Sequence, residues 1–205
     1  MNKNFLSEFD ASFLYSAEVL SELVKADIFS DVDDFVRKIR FRDQYVRQVA
    51  WFLLTKEVAD QLKKIINGKH VLEVFAGCGY LKSHLKEASL SYKAYDNHCF
   101  LHKKRDYGYV SRKNAFMALI KDVDVIIMTW ARYDKNDAYK VIKKMVSGQI
   151  LIVNGEPEGG CTANDKFFDY IKADFLLDER RMKSINEHHV RFSGIHDQWF
   201  IYQKK

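Results

Sequence analysis

The chain has 205 residues, 47% of them hydrophobic, with 33 lysines and arginines against 28 aspartates and glutamates, so its formal net charge is +5. This is the composition of a soluble globular protein, and the length suits one domain of ordinary size with an appendage. No run approaches the ~18 apolar residues that a bilayer span needs. The opening MNKNFLSEFD lacks a signal-peptide core and is too acidic for a transit peptide, so the expected location is cytoplasmic, with no membrane partner.

Residues 1 to 66 read as helical. Leu20, Leu23, Val24 and Ile28 share one face, as do Phe35, Val36 and Ile39. Val46, Val49, Ala50 and Leu53 repeat the pattern. Thr55 can cap a further helix that turns Val58, Leu62, Ile65 and Ile66 inward, and Asn67-Gly68 ends it. These apolar stripes need a partner, and the rest of the chain is the one available. The expected organisation is an N-terminal helical cap over 1–66 on a second unit over 67–205.

From Val71 the pattern alternates between strand and helix. Strands are expected at 71–75, 92–95, weakly near Tyr109 and Val110, at 124–128, 149–153 and 175–177, and finally at 198–203. Helices are expected from Tyr80 to Ala88, along the Ala138, Val141, Ile142 and Met145 face, and from Thr162 to about Lys172, where Thr162 and Asp165 have capping-box spacing. Alternation of this kind predicts an α/β, Rossmann-like three-layer sandwich: a mostly parallel seven-stranded sheet with helices on both faces, plus the N-terminal cap. Strand one then lies near the middle of the sheet, and a ligand sits at the carboxyl ends of the strands.

Val71 to Leu81, VLEVFAGCGYL, carries the densest signal. A short apolar strand holds one acid, Glu73, and a carboxylate in a buried strand needs a reason. The turn Ala76-Gly77-Cys78-Gly79 follows, then a helix whose N-terminus offers N–H groups to an anion. Asp96 stands 19 residues beyond Gly77, at the tip of the second strand, where such folds grip a ribose hydroxyl at a spacing of about 20. Lys82 occupies the place of the third glycine of the dinucleotide fingerprint, which favours a smaller adenosine cofactor over NAD.

The order of these features resembles class I S-adenosylmethionine-dependent methyltransferases over roughly residues 45–203. VLEVFAGCGYLKSHL looks like their first motif, YKAYDN like the second, SRKNAF like the third with Asn114 in place of an acid, and DVIIMTW like the fourth. The resemblance implies S-adenosyl-L-methionine as cofactor. It implies Glu73, Ala76, Gly77, Gly79, Asp96, Asn97, Asn114, Ala115 and Thr129 as its binding residues, and Trp130 and Tyr133 as lining for the acceptor. A narrower likeness is to uncharacterised methyltransferase-like proteins of microbes and fungi that pair a GAGxGY turn with a GE-x(2)-GGCTA segment, here Gly155 to Ala163, and a GIxD segment, here Gly194 to Asp197. The Asn/Asp-Pro-Pro-aromatic clamp of amino-methylating DNA enzymes is absent: Trp130-Ala131 follows the fourth strand, and the sole proline is Pro157.

Other features carry less. Glu156, just past the fifth strand, is the candidate for substrate binding or proton removal. Cys78, Cys99 and Cys161 are odd in number and without CxxC spacing, so reduced thiols are expected, with Cys78 a small turn residue. His188, His189, His196 and Asp197 look like a metal set but fall near the far edge of the sheet, so no metal is expected. Basic stretches at residues 37–47 and 102–105 are compatible with a nucleic-acid partner. The rival readings are a non-catalytic module that keeps the pocket and a nucleic-acid-binding module on the same fold.

Overall fold

The computed structural model of the protein describes residues 9–24, 32–97, 107–118 and 120–205. Ile28, Cys99 and the basic run 102–105 lie outside them. Seven strands form one sheet: β1 (His70–Val74), β2 (Ser91–Asp96), β3 (Ser111–Arg112), β4 (Val125–Thr129), β5 (Ile150–Gly155), β6 (Phe175–Leu177) and β7 (Gln198–Lys204). Their order is β3-β2-β1-β4-β5-β7-β6. β1 to β5 run parallel, whereas β7 is antiparallel to both β5 and β6. The order reverses between β1 and β4, where connections leave to opposite faces and open a crevice at the carboxyl ends.

The sequence explains the layers. β4, VIIMT, is buried along its whole length, which is the pattern of a central parallel strand covered on both faces. Side chains alternate across the sheet. Val71, Val125, Ile127, Ile152 and Ile201 join one cluster with the N-terminal helices. Leu72, Val74, Ile126, Met128 and Leu151 join the other, with Phe167 and Ile171. Among the described residues no helix is long and apolar enough to cross a membrane.

The N-terminal helices are α1 (Ala17–Val24), α2 (Val32–Gln48) and α3 (Lys56–Ile66). Thr55 caps α3 as the sequence predicts, its hydroxyl accepting from the Val58 N–H at 3.1 Å and donating to the His188 carbonyl at 3.1 Å. Val58, Ala59, Leu62, Ile65 and Ile66 are the buried face of that helix. The predicted faces 35–39 and 46–53 need correction. The first face and Val46 belong to one helix that stops at Gln48, its buried residues Phe41 and Tyr45, while Val49, Ala50 and Leu53 lie beyond its end. Aromatic packing decided this: Tyr45 meets Phe9, Phe192 and Tyr80 at 5.4, 5.4 and 6.4 Å between ring centroids. Beyond Gln48 the chain leaves the helix, and Val49, Phe52, Leu53 and Leu54 are buried in a connector that leaves Trp51 exposed.

The remaining helices are α4 (Tyr80–Leu85), α5 (Asp137–Ile142), α6 (Asp165–Asp174) and α7 (Glu179–Asn186). Thr162 does not cap α6. Asn164 does, accepting from the Phe167 N–H, while the Thr162 hydroxyl donates to the Glu156 carbonyl. Thr162 fills the space beside Gly155, where a β-carbon would lie 2.7 Å from its Oγ1. The weak third strand forms two residues later than predicted, at Ser111–Arg112. The sequence reading has no counterpart for α7, which Asp178 caps through the Arg181 N–H.

Thr55 joins a helix start to a distant loop, so Thr55→Ala removes two hydrogen bonds at a fully buried site. The expected loss is about 1–3 kcal/mol in urea-denaturation stability, with the denaturant slope unchanged.

Candidate functional site

An open cleft of about 200 Å³ lies over the carboxyl ends of β2, β1 and β4. Of the residues named from sequence, it brings together Glu73, Ala76, Gly77, Asp96, Asn97, Thr129 and Trp130. Val46, Val49, Ala50, Trp51 and Phe52 close it from the N-terminal side. Periodicity assigns most of that stretch to a helix face, so the sequence reading misses its role here. It also misses Phe75, Tyr80, Leu81 and Arg132.

Glu73 forms the floor. Its side chain is buried, and its Oε2 accepts from the Tyr92 hydroxyl at 3.0 Å. Burial pushes its carboxyl up to about 8, against smaller lowering effects of the Tyr92 hydrogen bond and the Lys82 charge. The buried acid that the strand sequence leaves unexplained is therefore largely protonated at neutral pH, and a cation entering the cleft would draw out its charge.

The glycine turn is built from both sides. Asp96 Oδ2 accepts from the Gly77 N–H at 2.9 Å, binding the tip of β2 to the turn. The Gly79 N–H is taken by the Ala76 carbonyl at 2.9 Å. These two amides therefore serve the turn itself. The Cys78 thiol, buried, donates to the Val49 carbonyl at 3.0 Å and ties the turn to the end of α2. The two glycines do different work. A β-carbon on Gly77, at φ 54°, would meet nothing within 4 Å, so the bare main chain is open there. On Gly79, at φ 79°, it would lie 2.6 Å from the Gly108 carbonyl oxygen. Gly79 serves close packing and does not line the cleft.

Asn114 and Ala115 also stand behind the lining. Asn97 Nδ2 donates to Asn114 Oδ1 at 3.2 Å, and Ala115 is buried in the core on the other face. Tyr133 is 60% exposed and outside the lining; Arg132 takes the place expected for it. Its guanidinium is gripped by Asp134 through Nε at 2.8 Å and Nη2 at 2.6 Å. Trp130 has φ 49° and stacks on Trp51, with centroids 5.1 Å apart.

Glu156 is not in the cleft. Its Oε2 accepts from the Cys161 N–H at 2.6 Å and its Oε1 from the His196 N–H at 3.2 Å. Partial burial alone would raise this carboxyl, but the two amides outweigh it and hold it below the usual range. An anion already satisfied by two main-chain amides makes a poor proton acceptor. His188 and His196 are exposed, whereas His189 Nε2 lies 3.1 Å from Asp197 Oδ2, out of line for a hydrogen bond. Among the described residues no group of three potential metal ligands forms.

No protein-family profile matches the sequence, and no curated protein matches it. Solved structures do. A S-adenosylmethionine-dependent methyltransferase from Clostridium acetobutylicum is similar with a TM-score of 0.54 at 10% identity, covering 81% of this chain and 98% of its own. Magnesium protoporphyrin IX methyltransferase from Synechocystis, solved with bound S-adenosylmethionine, is similar at 0.52 and 14%, covering 94% and 99%. A TehB-like methyltransferase from Corynebacterium glutamicum is similar at 0.51 and 12%, covering 84% and 97%. At such identities the likeness shows the fold, a Rossmann-like sandwich shared with S-adenosylmethionine-dependent methyltransferases.

The Glu73 carboxyl makes stability depend on pH. Its folded value of about 8 stands above the ordinary 4.5, so the folded state keeps a proton that the unfolded chain releases. The contribution is complete below about 4.5 and is lost as pH rises to about 8, at up to about 1.4 kcal/mol per pH unit. Glu73→Gln, neutral throughout, should flatten that slope in denaturation curves taken at pH 5, 6, 7 and 8.

Proposed function

We propose that the protein is an S-adenosyl-L-methionine-dependent methyltransferase and that the cleft over β2, β1 and β4 holds the cofactor. The observation that carries this reading is the joint placement of three groups on neighbouring strand tips: Glu73 in β1, the open main chain at Gly77, and Asp96 at the end of β2. They fit the cofactor's parts. Asp96 suits the ribose hydroxyls, Gly77 lets the amino-acid portion lie against bare backbone, and the protonated, buried Glu73 suits the ammonium. Asn97, propped by Asn114, stands on the β2 side for the adenine edge, and Thr129 stands at the tip of β4. The folds of the three solved methyltransferases support the reading.

When bound, S-adenosylmethionine supplies a sulfonium methyl: an acceptor lone pair forms the new bond to carbon, the C–S pair returns to sulfur, and the acceptor's displaced proton passes to water. The chain's own part is to orient and to exclude water. Trp51, Phe52 and Trp130 cover the β4 end, and apolar walls there strip water from the reacting pair. The cleft's carboxylates, Glu73 and Asp96, belong to the cofactor side, and Glu156 is turned away. The residues thus act by alignment.

Calorimetric titration with S-adenosylhomocysteine, the demethylated product, tests the reading; absence of binding removes it. Asp96→Asn keeps an oxygen for the Gly77 N–H and should still weaken binding about tenfold or more, about 1.4 kcal/mol. At pH 7, binding to wild type should release up to one proton as Glu73 ionises against the ammonium, seen as a heat that varies with the buffer's ionisation enthalpy. Glu73→Gln should abolish that dependence. The rival reading, a passive module on the same fold, predicts binding without turnover; methyl release from labelled cofactor with cell extract as acceptor separates the two.

A further inference from the structure

The β4 end of the cleft is made of indole. Trp51 comes from the connector between α2 and α3 and stacks on Trp130 with a 28° angle between the planes. The backbone under Trp130 is fixed by its main-chain N–H, which donates to the Asn154 carbonyl at 2.9 Å, in a left-handed conformation at φ 49° that a bulky side chain rarely adopts. Yet Trp51 is 51% exposed. A large flat ring, fixed by its neighbour and half bare at the mouth of a cleft, is apolar surface waiting for a flat partner.

Charge narrows the partner. Arg132 lines the cleft beside Trp130, with part of its charge offset by Asp134, which bridges its Nε and Nη2. Arg47 is exposed and adjacent in sequence to the lining residue Val46. On the β2 side Lys113 sits 5.0 Å from the centre of the Tyr95 ring. One cation, Arg132, thus lines the cleft; Arg47 and Lys113 are sequence neighbours of Val46, which lines it, and of Asn114, which bonds the lining residue Asn97. A small aromatic acid would engage one of them. A chain of phosphates would engage all three and bring flat rings with it.

We propose that Trp51 and Trp130 form a stacking platform for a base of single-stranded nucleic acid, and that this strand is the methyl acceptor. The word acceptor rests on the methyltransferase reading; the stacking does not. Stacking needs only the π-face that every base has, so the platform selects an unpaired base and leaves sequence preference weak. An unpaired base reaches the β4 end without the cost of leaving a duplex. Of the basic stretch in α2, Arg37 and Lys38 are bridged to Asp34, and Arg42 is bridged to Asp43 and donates to the Ser193 carbonyl. Arg40 and Arg47 are the exposed residues of that stretch for which no such bridge forms.

The test uses the whole chain saturated with S-adenosylhomocysteine, so that the nucleoside end of the cleft cannot capture a base. Labelled ten-nucleotide single strands of mixed sequence, RNA and DNA, are titrated by anisotropy beside an abasic strand of equal charge. Wild type should bind the base-bearing strands about tenfold or more tighter than the abasic one and should show quenched tryptophan emission. With each variant saturated at its own S-adenosylhomocysteine affinity, Trp51→Ala should erase that difference and Trp51→Phe should keep most of it, since a phenyl ring still stacks. Melting curves confirm that each variant is folded, and if Trp51→Ala is not, the abasic comparison and Trp51→Phe decide. Equal affinity for abasic and base-bearing strands overturns the proposal, as does a folded Trp51→Ala that binds like wild type, or quenching by 4-hydroxybenzoate but by neither strand. If S-adenosylhomocysteine itself fails to bind, the methyltransferase reading falls; the strands are then titrated without it, and the stacking stands or falls on the same comparisons.

Discussion

The site depends on how two neighbouring parallel strands end. β1 and β4 lie side by side in register, Val74 against Met128, and the chain must turn sharply at both tips to leave a crevice between their departing connections. It does so with side chains that resist the turn: Phe75 at φ 60° and Trp130 at φ 49° are both left-handed. Each such residue costs roughly 1–2 kcal/mol. The cost is met by lateral ties across the tips. Ala76 N–H donates to the Tyr95 carbonyl, Thr129 Oγ1 to the Phe75 carbonyl, and Trp130 N–H to the Asn154 carbonyl. The tips of β2, β1, β4 and β5 are thereby locked to one another, and strained rings are held at the mouth where a relaxed backbone would turn them elsewhere.

The N-terminal helices complete what the sheet begins. Their aromatic residues enter the same cluster as one face of the sheet, and Phe52 packs against Trp199 of β7 at 5.5 Å. The Cys78 thiol reaches the Val49 carbonyl at the point where α2 has just ended. The glycine turn is therefore braced on one side by the acid of β2 and on the other by the connector that carries Trp51. A change in either brace moves the turn, which is why Asp96 cannot be read as a ligand-binding residue alone.

The strand sequences were legible because each has a pattern that only one environment satisfies. DVIIM admits no polar face, so it must be central; QWFIYQK alternates, and it forms the antiparallel strand between β5 and β6. Glu73, Gly77 and Asp96 were legible because spacing along one crossover fixes them in space. The wall from Val46 to Phe52 was not. Its periodicity is helical, and the end of α2 is set by burial of Phe41 and Tyr45 against Phe9, Tyr80 and Phe192, contacts with distant parts of the chain that no local window contains. Gly79 shows the same limit at one position. A glycine needed for a ligand and a glycine needed for a neighbouring carbonyl are identical in sequence, and only the oxygen of Gly108 tells them apart. Glu156 was attractive because it follows β5, yet the turn after it supplies one donor, the Cys161 N–H, and the segment before β7 a second, the His196 N–H.

The chemistry of the lining then divides along the sheet. Toward β2 and the floor stand the two carboxyl groups, Asp96 and Glu73; toward β4 stand two indoles and one guanidinium. Glu73 waits largely neutral because water is excluded from it, so it gains charge only when a cation arrives to share the burial. An indole face also favours a cation over bulk water once the site is closed. The floor at Glu73 is thus suited to a cation, and the indoles at the β4 end to a flat apolar group. The β4 end adds no carboxylate to compete for a proton. A cleft arranged in this way does its work through desolvation and alignment, and it requires an acceptor that brings its own lone pair and a surface flat enough to lie on tryptophan.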